Sequence, residues 1–199
     1  MRLSQCVREQ GNDVNASAGD DRPRRIYNPV QRDAATFLET SEESGGVRTL
    51  AELEVAPGGK VTPHYHLTYS ERFRVLEGQL AVEIDGAHRE LEPGDEAVAA
   101  VRSLHAWSNP GEDRSVVQVE LRPGSPGFEN GLRVVYGLAA DGLVRKNGVP
   151  RNPLQAALVL QMGEIRLRGG YAALERVLRL LALVARWRGV DRELERRYL

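Results

Sequence analysis

The sequence has little cysteine and little net charge. Cys6 is the only thiol, so no intrachain disulfide can form and nothing indicates an oxidising compartment. The net charge is -1, and no basic run with interleaved aromatic residues is present, so we expect no nucleic-acid partner. No apolar run reaches the roughly eighteen residues of a membrane-spanning helix. Because the N-terminus also lacks the apolar core of a signal peptide, we expect a cytoplasmic protein.

The distribution of turn residues predicts one β domain with an addition at each end. Residues 1–24 are polar and predict a disordered N-terminal arm. Short strand-like runs separated by glycine and proline occupy residues 25–150 and predict a mainly β sandwich or small barrel. Within this domain, Asp85-Gly86 follows an alternating run and is typical of a β-hairpin turn. Residues 151–199 predict a C-terminal helical appendage.

The appendage is predicted to contain two helices. Asn152-Pro153 is a helix-start signal, and the helix that follows is expected to stop near Gly163. A longer helix is predicted from Tyr171 to about Arg188. One side of it is nearly all apolar, with Leu174, Val177, Leu178, Leu181, Leu183 and Val184. We expect that side to be buried against the barrel or a second copy of the chain. The alternatives are a membrane surface, since arginines lie on the polar side, and a groove on a partner protein.

Three of the four histidines lie close together in sequence, with a glutamate between them. His64 and His66 are two residues apart, so on a strand both imidazoles leave the same face. Glu71 begins a second apolar run, and a hairpin between the two runs is expected to return the carboxylate to the imidazoles. His105 comes from a third strand-like segment, whereas His88 is expected to be a solvated hairpin residue. Imidazoles with a carboxylate predict a site for one divalent transition metal, without distinguishing iron, manganese, nickel, copper, cobalt or zinc.

The same residues resemble the two signature motifs of the cupin superfamily. The first motif is matched by the spacing Gly58-x5-His64-x-His66-x4-Glu71-x6-Gly78. The second is matched by Gly94, His105 and Asn109, but Ala100 and Arg102 stand where that motif has proline and glycine. The resemblance covers about residues 26–122. It implies a cupin-like double-stranded β-helix, or jelly-roll, barrel in which His64, His66, Glu71 and His105 bind one metal. It also implies a homodimer.

The resemblance extends to the single-domain dioxygenases of the superfamily, including quercetinase-like enzymes. It implies a small-molecule oxidoreductase in which Glu71 binds the metal and also accepts a proton from an enol or phenol. On the alternation of the strands, Phe73, Val75 and Trp107 are expected to line the barrel beside the metal or to form its core. Two other functions stay open: a non-catalytic module that binds a small molecule through the metal, and a sugar or keto-acid isomerase.

Overall fold

The structure is a computed structural model that describes residues 22–166 and 172–199. Most of the predicted N-terminal arm, residues 1–21, and the predicted helix start at Tyr171 lie outside the described residues. The described residues form ten strands and four helices. The strands are β1 (Arg25–Asn28), β2 (Asp33–Glu39), β3 (Thr49–Val55), β4 (Lys60–His64), β5 (Ser70–Glu77), β6 (Leu80–Ile84), β7 (Ala87–Leu91), β8 (Glu96–Ala99), β9 (His105–Ser108) and β10 (Ser115–Arg122). The helices are α1 (Pro126–Ala140), α2 (Pro153–Met162), α3 (Ala172–Trp187) and α4 (Val190–Tyr198).

The strands pair antiparallel in two sheets. One sheet has the order β1-β2-β3-β10-β5-β8, and the other has the order β4-β9-β6-β7. Apolar side chains from both sheets share one buried cluster, which includes Phe73, Val75, Val117, Leu80, Val82 and Trp107. Burial alternates along β3, as expected for a strand with one face on the core. The fold is therefore the predicted mainly β jelly roll with C-terminal helices.

The predicted hairpin between β6 and β7 is confirmed. Residues Leu80 to Ile84 pair with Leu91 to Ala87, and the turn is Asp85-Gly86. Both turn residues have positive φ, 50° at Asp85 and 86° at Gly86, which is the conformation that a tight two-residue hairpin needs. His88 lies on the exposed strand β7, as expected.

The helices form a second buried cluster beside the barrel. Its members include Val134, Leu138, Leu158, Ala182, Ala185 and Leu194. Helix α2 starts as predicted, because the side chain of Asn152 accepts a hydrogen bond from the backbone N–H of Leu154, at 2.9 Å. Helix α1 was not predicted, and it falls inside the segment that the sequence assigns to the barrel. Within the described residues, no helix combines the length and hydropathy needed to cross a membrane.

Helix α3 buries only part of its apolar surface within the chain. Ala182 and Ala185 are fully buried among the other helices. Several residues of the predicted apolar side are instead exposed: Leu174, Val177, Leu183 and Val184 are 39%, 50%, 60% and 40% exposed. The contact with the other helices is therefore made by the two small alanines, with Leu178 and Leu181 partly buried against the same cluster, and the four exposed residues face outward.

A buried acid joins α1 to the six-stranded sheet. Asp33 is 1% exposed, and its Oδ2 accepts a hydrogen bond from the hydroxyl of Tyr136. Its Oδ1 has no hydrogen-bond partner among the described residues. Burial raises the pKa of Asp33 to about 6, although the hydrogen bond from Tyr136 opposes the shift. The folded protein therefore binds a proton at Asp33 more tightly than the unfolded chain does.

We expect the Asp33→Asn variant to lack a pH-dependent loss of stability that the wild type shows. A pKa raised from 3.8 to about 6 makes the stability contribution of Asp33 fully present below pH ~4 and lost as the pH rises through ~6. The loss amounts to about 3 kcal/mol in the free energy of unfolding. Urea unfolding at pH 4 and pH 7 measures it. A stability difference between variant and wild type that does not change with pH would contradict this assignment.

Candidate metal centre

The four predicted ligands come from both sheets. His64 is the last residue of β4, and it pairs with His105, the first residue of the neighbouring strand β9. His66 lies two residues beyond His64, and Glu71 is the second residue of β5. The expected hairpin between β4 and β5 is wrong, because these strands belong to different sheets. Residues 65–69 cross from one sheet to the other, and this crossing places the carboxylate opposite the imidazoles.

The four side chains converge at a single buried point. One ligand atom from each lies within 4.8 Å of the others. The imidazole centroid of His64 is 4.9 Å from that of His66 and 4.4 Å from that of His105. Oε2 of Glu71 lies 2.9 Å from Nε2 of His105 and 3.5 Å from Nε2 of His66. All four residues are less than 9% exposed, so their polar atoms depend on one another or on a bound ion.

The backbone fixes which nitrogen of each imidazole faces the centre. Each Nδ1 lies beside a backbone carbonyl oxygen: His64 beside Thr62 at 2.8 Å, His66 beside Gly163 at 3.2 Å, and His105 beside Ser103 at 3.0 Å. Since a carbonyl oxygen can only accept, each Nδ1 carries a hydrogen. In a neutral imidazole of this tautomer, Nε2 then has a lone pair that can bind a metal. Histidine ligands of metals are typically oriented in this way.

The donor set fits a divalent cation. Three Nε2 atoms and one carboxylate converge, and without a metal only the proton shared by His105 and Glu71 lessens the repulsion among them. Nε2 of His66 is buried and has no hydrogen-bond partner among the described residues. Nitrogen and oxygen donors of this kind suit first-row transition metals. The residues present therefore fit a metal site, and no donor selects one metal over another.

The family of the β domain follows from the match of its sequence. The family model of the cupin domain matches residues 51–121, which run from β3 to β10 and include all four candidate ligands. The barrel is a cupin domain. The chain is also 35% identical over 83 residues to the tetracenomycin polyketide synthase protein TcmJ of Streptomyces glaucescens. The match covers 41% of this chain and 55% of TcmJ, so the chain spans about half the length of that relative.

Solved structures similar to the cupin domain come from several organisms. An RmlC-like cupin from Shewanella frigidimarina has a TM-score of 0.46 and 18% identity, over 52% of this chain and 86% of that chain. KdgF from a Halomonas species has a TM-score of 0.43 and 23% identity, over 47% of this chain and 81% of that chain. About half of the chain is therefore matched in each case.

The departure from the second cupin motif leaves its turn intact. Arg102, where the motif has glycine, adopts a left-handed φ of 69°. The turn closes through a hydrogen bond from the N–H of Ser103 to the carbonyl of Ala100 at 2.9 Å. The N–H of Arg102 also donates to the carbonyl of His66 at 2.8 Å, which ties the turn to a ligand. A non-glycine residue in this conformation costs roughly 1–2 kcal/mol, and the neighbouring cupin strands hold it there.

Burial and hydrogen bonding set the charges of the site. Burial, together with the neighbouring His105, lowers the pKa of His64 to about 4. Burial alone would raise the pKa of Glu71, but the hydrogen bond from His105 and the nearby imidazole of His66 outweigh it and hold that pKa well below its ordinary value. For His105, burial lowers the pKa, yet the hydrogen bond to Glu71 outweighs it and raises the pKa. The 2.9 Å hydrogen bond between Nε2 of His105 and Oε2 of Glu71 places a proton between them, and metal binding would release it.

The other residues predicted beside the metal lie in the cupin core. Phe73, Val75 and Trp107 are all buried in the cluster between the sheets. The ring centroid of Phe73 is 6.0 Å from that of His105, so this side chain packs against a ligand. Asn109 is also buried, and its side-chain amide donates to the carbonyls of Val55 and Asp113, which is a structural role in the barrel.

Two groups at the site were not predicted from the sequence. The hydroxyl of Tyr69 lies 2.8 Å from Nδ1 of His66, and the carbonyl of Gly163 lies 3.2 Å from the same atom. Tyr69 could have been suspected, because it stands in the polar break between two ligands. No sequence signal identifies Gly163, because its contribution is a backbone carbonyl and it lies 97 residues from His66.

Proposed function

We propose that the chain is a metal-dependent enzyme of dioxygenase type that acts on a small enolic or phenolic molecule. The observation that carries the proposal is the convergence of three Nδ1-protonated imidazoles and one low-pKa carboxylate on one buried point. A redox-active divalent metal bound there would supply open coordination positions and an electron pathway between a substrate and dioxygen. His64, His66, Glu71 and His105 would hold it.

Glu71 is the candidate general base. Its low pKa keeps it anionic at neutral pH, and Oε2 already accepts from Nε2 of His105. With a metal held at the site, the proton between these two residues would be released, and the Glu71 carboxylate could then accept a proton from a hydroxyl of the substrate. A group within hydrogen-bond reach of that hydroxyl meets the geometric condition for general-base catalysis. The site is buried and excludes bulk water, and the lower dielectric strengthens the hydrogen bond between the carboxylate and the substrate hydroxyl.

The surroundings of the ligands support an uncharged, aromatic or enolic substrate. Phe73 and Tyr69 pack against His105 and His66, and Phe128 approaches Tyr69 with a centroid distance of 6.0 Å. Arg133 is the only buried cation in the described part of the chain, and it lies over the ring of Phe37, away from the ligands. Besides the metal, a phosphorylated sugar would call for an arginine or lysine beside the ligands. The likeness to a polyketide synthase protein also supports a substrate with enolic and phenolic hydroxyls.

The test is metal analysis followed by oxygen consumption. We expect untagged protein purified without chelator to contain about one equivalent of iron, manganese, nickel or copper, and to consume oxygen with phenolic or enolic substrates. At saturating metal, Glu71→Gln should lower kcat by about 10²- to 10⁴-fold, the usual contribution of a general base. Glu77→Gln, at the exposed end of the same strand, is the matched control and should keep wild-type kcat. Metal-loaded protein that consumes no oxygen across such a panel would contradict the proposal.

A non-catalytic module that binds a small molecule through the metal is the second candidate. It is supported by the burial of all four ligands and by the contact of the C-terminal residues with His66. Such a module would show thermal stabilisation by a phenolic ligand without any oxygen uptake. A purely isomerase function would instead show turnover of a sugar or keto acid under anaerobic conditions.

A further inference from the structure

The C-terminal extension reaches back to the metal centre. Residues 163–166, here called the strap, follow α2 and lie against residues 65–69, here called the crossing segment. Tyr65 and Arg166 exchange two backbone hydrogen bonds of 3.0 Å each, as neighbouring β residues do. The hydroxyl of Thr68 donates to the carboxylate of Glu164. The strap is therefore attached to the crossing segment along its whole length.

The strap also contacts a metal ligand. The hydroxyl of Tyr69 donates to the carbonyl of Gly163 at 2.7 Å. Nδ1 of His66 lies 2.8 Å from that hydroxyl oxygen and 3.2 Å from the same carbonyl. The rings of His66 and Tyr69 are stacked, with centroids 4.4 Å apart and an interplanar angle of 27°. Because the proton of Tyr69 goes to Gly163, Nδ1 of His66 must be the donor in both of its contacts.

This arrangement distinguishes His66 from the other two histidines. The carbonyls beside Nδ1 of His64 and His105 belong to residues two positions earlier in the same segment. Those two contacts form whenever the barrel forms. The contact of His66 with Gly163 instead requires α2 to be docked on the barrel. The orientation of His66, alone among the three histidine ligands, thus depends on the residues that follow α2.

Helix α1 determines where the strap lies. A Cβ on Gly127 would come within 2.5 Å of the carbonyl oxygen of Met162, so only glycine permits this approach. A Cβ on Gly131, one turn later, would lie 3.2 Å from the backbone nitrogen of Gly163. The end of α2 thus packs directly on the backbone of α1. Glu164 then turns the chain towards the metal centre with a φ of 50°.

We infer that the strap is part of the metal centre: the carbonyl of Gly163 and the hydroxyl of Tyr69 orient His66 for metal binding. The inference rests on the proposed metal site, and it adds that the position of the strap regulates metal affinity there. Binding free energies are reciprocal, so a closed strap raises metal affinity and bound metal holds the strap closed by the same factor. Tyr69 is a positioning residue, because it acts through His66. The C-terminal extension thereby couples the docking of α2 on the barrel to the retention of the metal.

The first test compares metal affinity in two tyrosine variants. Tyr69→Phe should weaken Zn²⁺ and Co²⁺ binding by about 10- to 100-fold in a chelator competition, which is the usual cost of removing a partner of a ligating histidine. Tyr65→Phe removes a hydroxyl from the same crossing segment and should bind both metals as the wild type does. Equal affinity in Tyr69→Phe and the wild type would overturn the inference. A wild type that binds neither metal would instead overturn the proposed metal site itself.

A second measurement needs no variant. Hydrogen exchange of the Arg166 amide, which donates to the carbonyl of Tyr65, reports strap opening directly. Saturating Zn²⁺ should slow this exchange at least tenfold, while the amide of Gly94, which donates to the carbonyl of Val75 at the other end of β5 from Glu71, serves as the control and should exchange at an unchanged rate. Metal binding that leaves the exchange of Arg166 unchanged would show that the strap and the metal are independent.

Discussion

Replacing His64 and His66 together with alanine is expected to abolish stoichiometric metal binding and to leave a folded β protein. The double variant keeps only one imidazole and one carboxylate, which is too few donors to hold a divalent ion against water and buffer. The fold should survive, because the core between the sheets is built from apolar side chains that neither substitution touches. Elemental analysis and far-UV circular dichroism measure the two outcomes.

The matched control for this experiment is His88→Ala. His88 lies on the exposed strand β7, so removing it should change neither the metal content nor the fold. Full metal retention in the double variant would contradict the assignment of the site. Loss of the β signal would show instead that the two histidines support the barrel. The two results are separated because metal content and secondary structure are measured on the same sample.

The ligands were predictable from the sequence because their geometry is mostly local. His64 and His66 are two residues apart in an extended segment, Glu71 is the second residue of β5, and His105 begins β9. The route between them was not predictable in the same way. The sequence between His66 and Glu71 is compatible with a hairpin, but β4 and β5 pair with strands that come later in the chain. The sheet to which each strand belongs is decided by pairing with strands far away in the sequence, and a local sequence pattern does not predict that pairing.

The helices show a similar division. The start of α2 depends on one capping side chain and a proline, so the sequence predicts the first helical residue correctly. Helix α1 was missed because Gly127, Gly131 and Gly137 lower its intrinsic helix propensity. The structure shows why they are present: a Cβ on Gly137 would meet the ring of Tyr198 at 2.2 Å, and the other two glycines meet the end of α2. Tertiary packing selected glycine here against the local preference.

The apolar surface of α3 leads to the second large expected effect, which concerns assembly. Val177, Leu180, Val184 and Trp187 repeat at intervals of three and four residues on the exposed side of the helix. Leu180 is 62% exposed and Trp187 is 82% exposed in the single chain. Such spacing, with valine and leucine alternating, is typical of helices that pair with a second helix. We therefore propose that this side of α3 contacts the same helix of a second copy in a homodimer.

The Leu180→Glu variant is expected to separate this dimer while leaving each chain folded. A charge placed in an apolar interface must be desolvated without a partner, which costs several kcal/mol. Light scattering should give about twice 22.0 kDa for the wild type and about 22.0 kDa for the variant. Ala185→Glu is the contrasting change, because Ala185 is fully buried against the other helices and its replacement should unfold the appendage. If the wild type has the mass of one chain, the homodimer is contradicted. Vesicle co-sedimentation would then test the arginine-flanked surface of α3 for membrane binding.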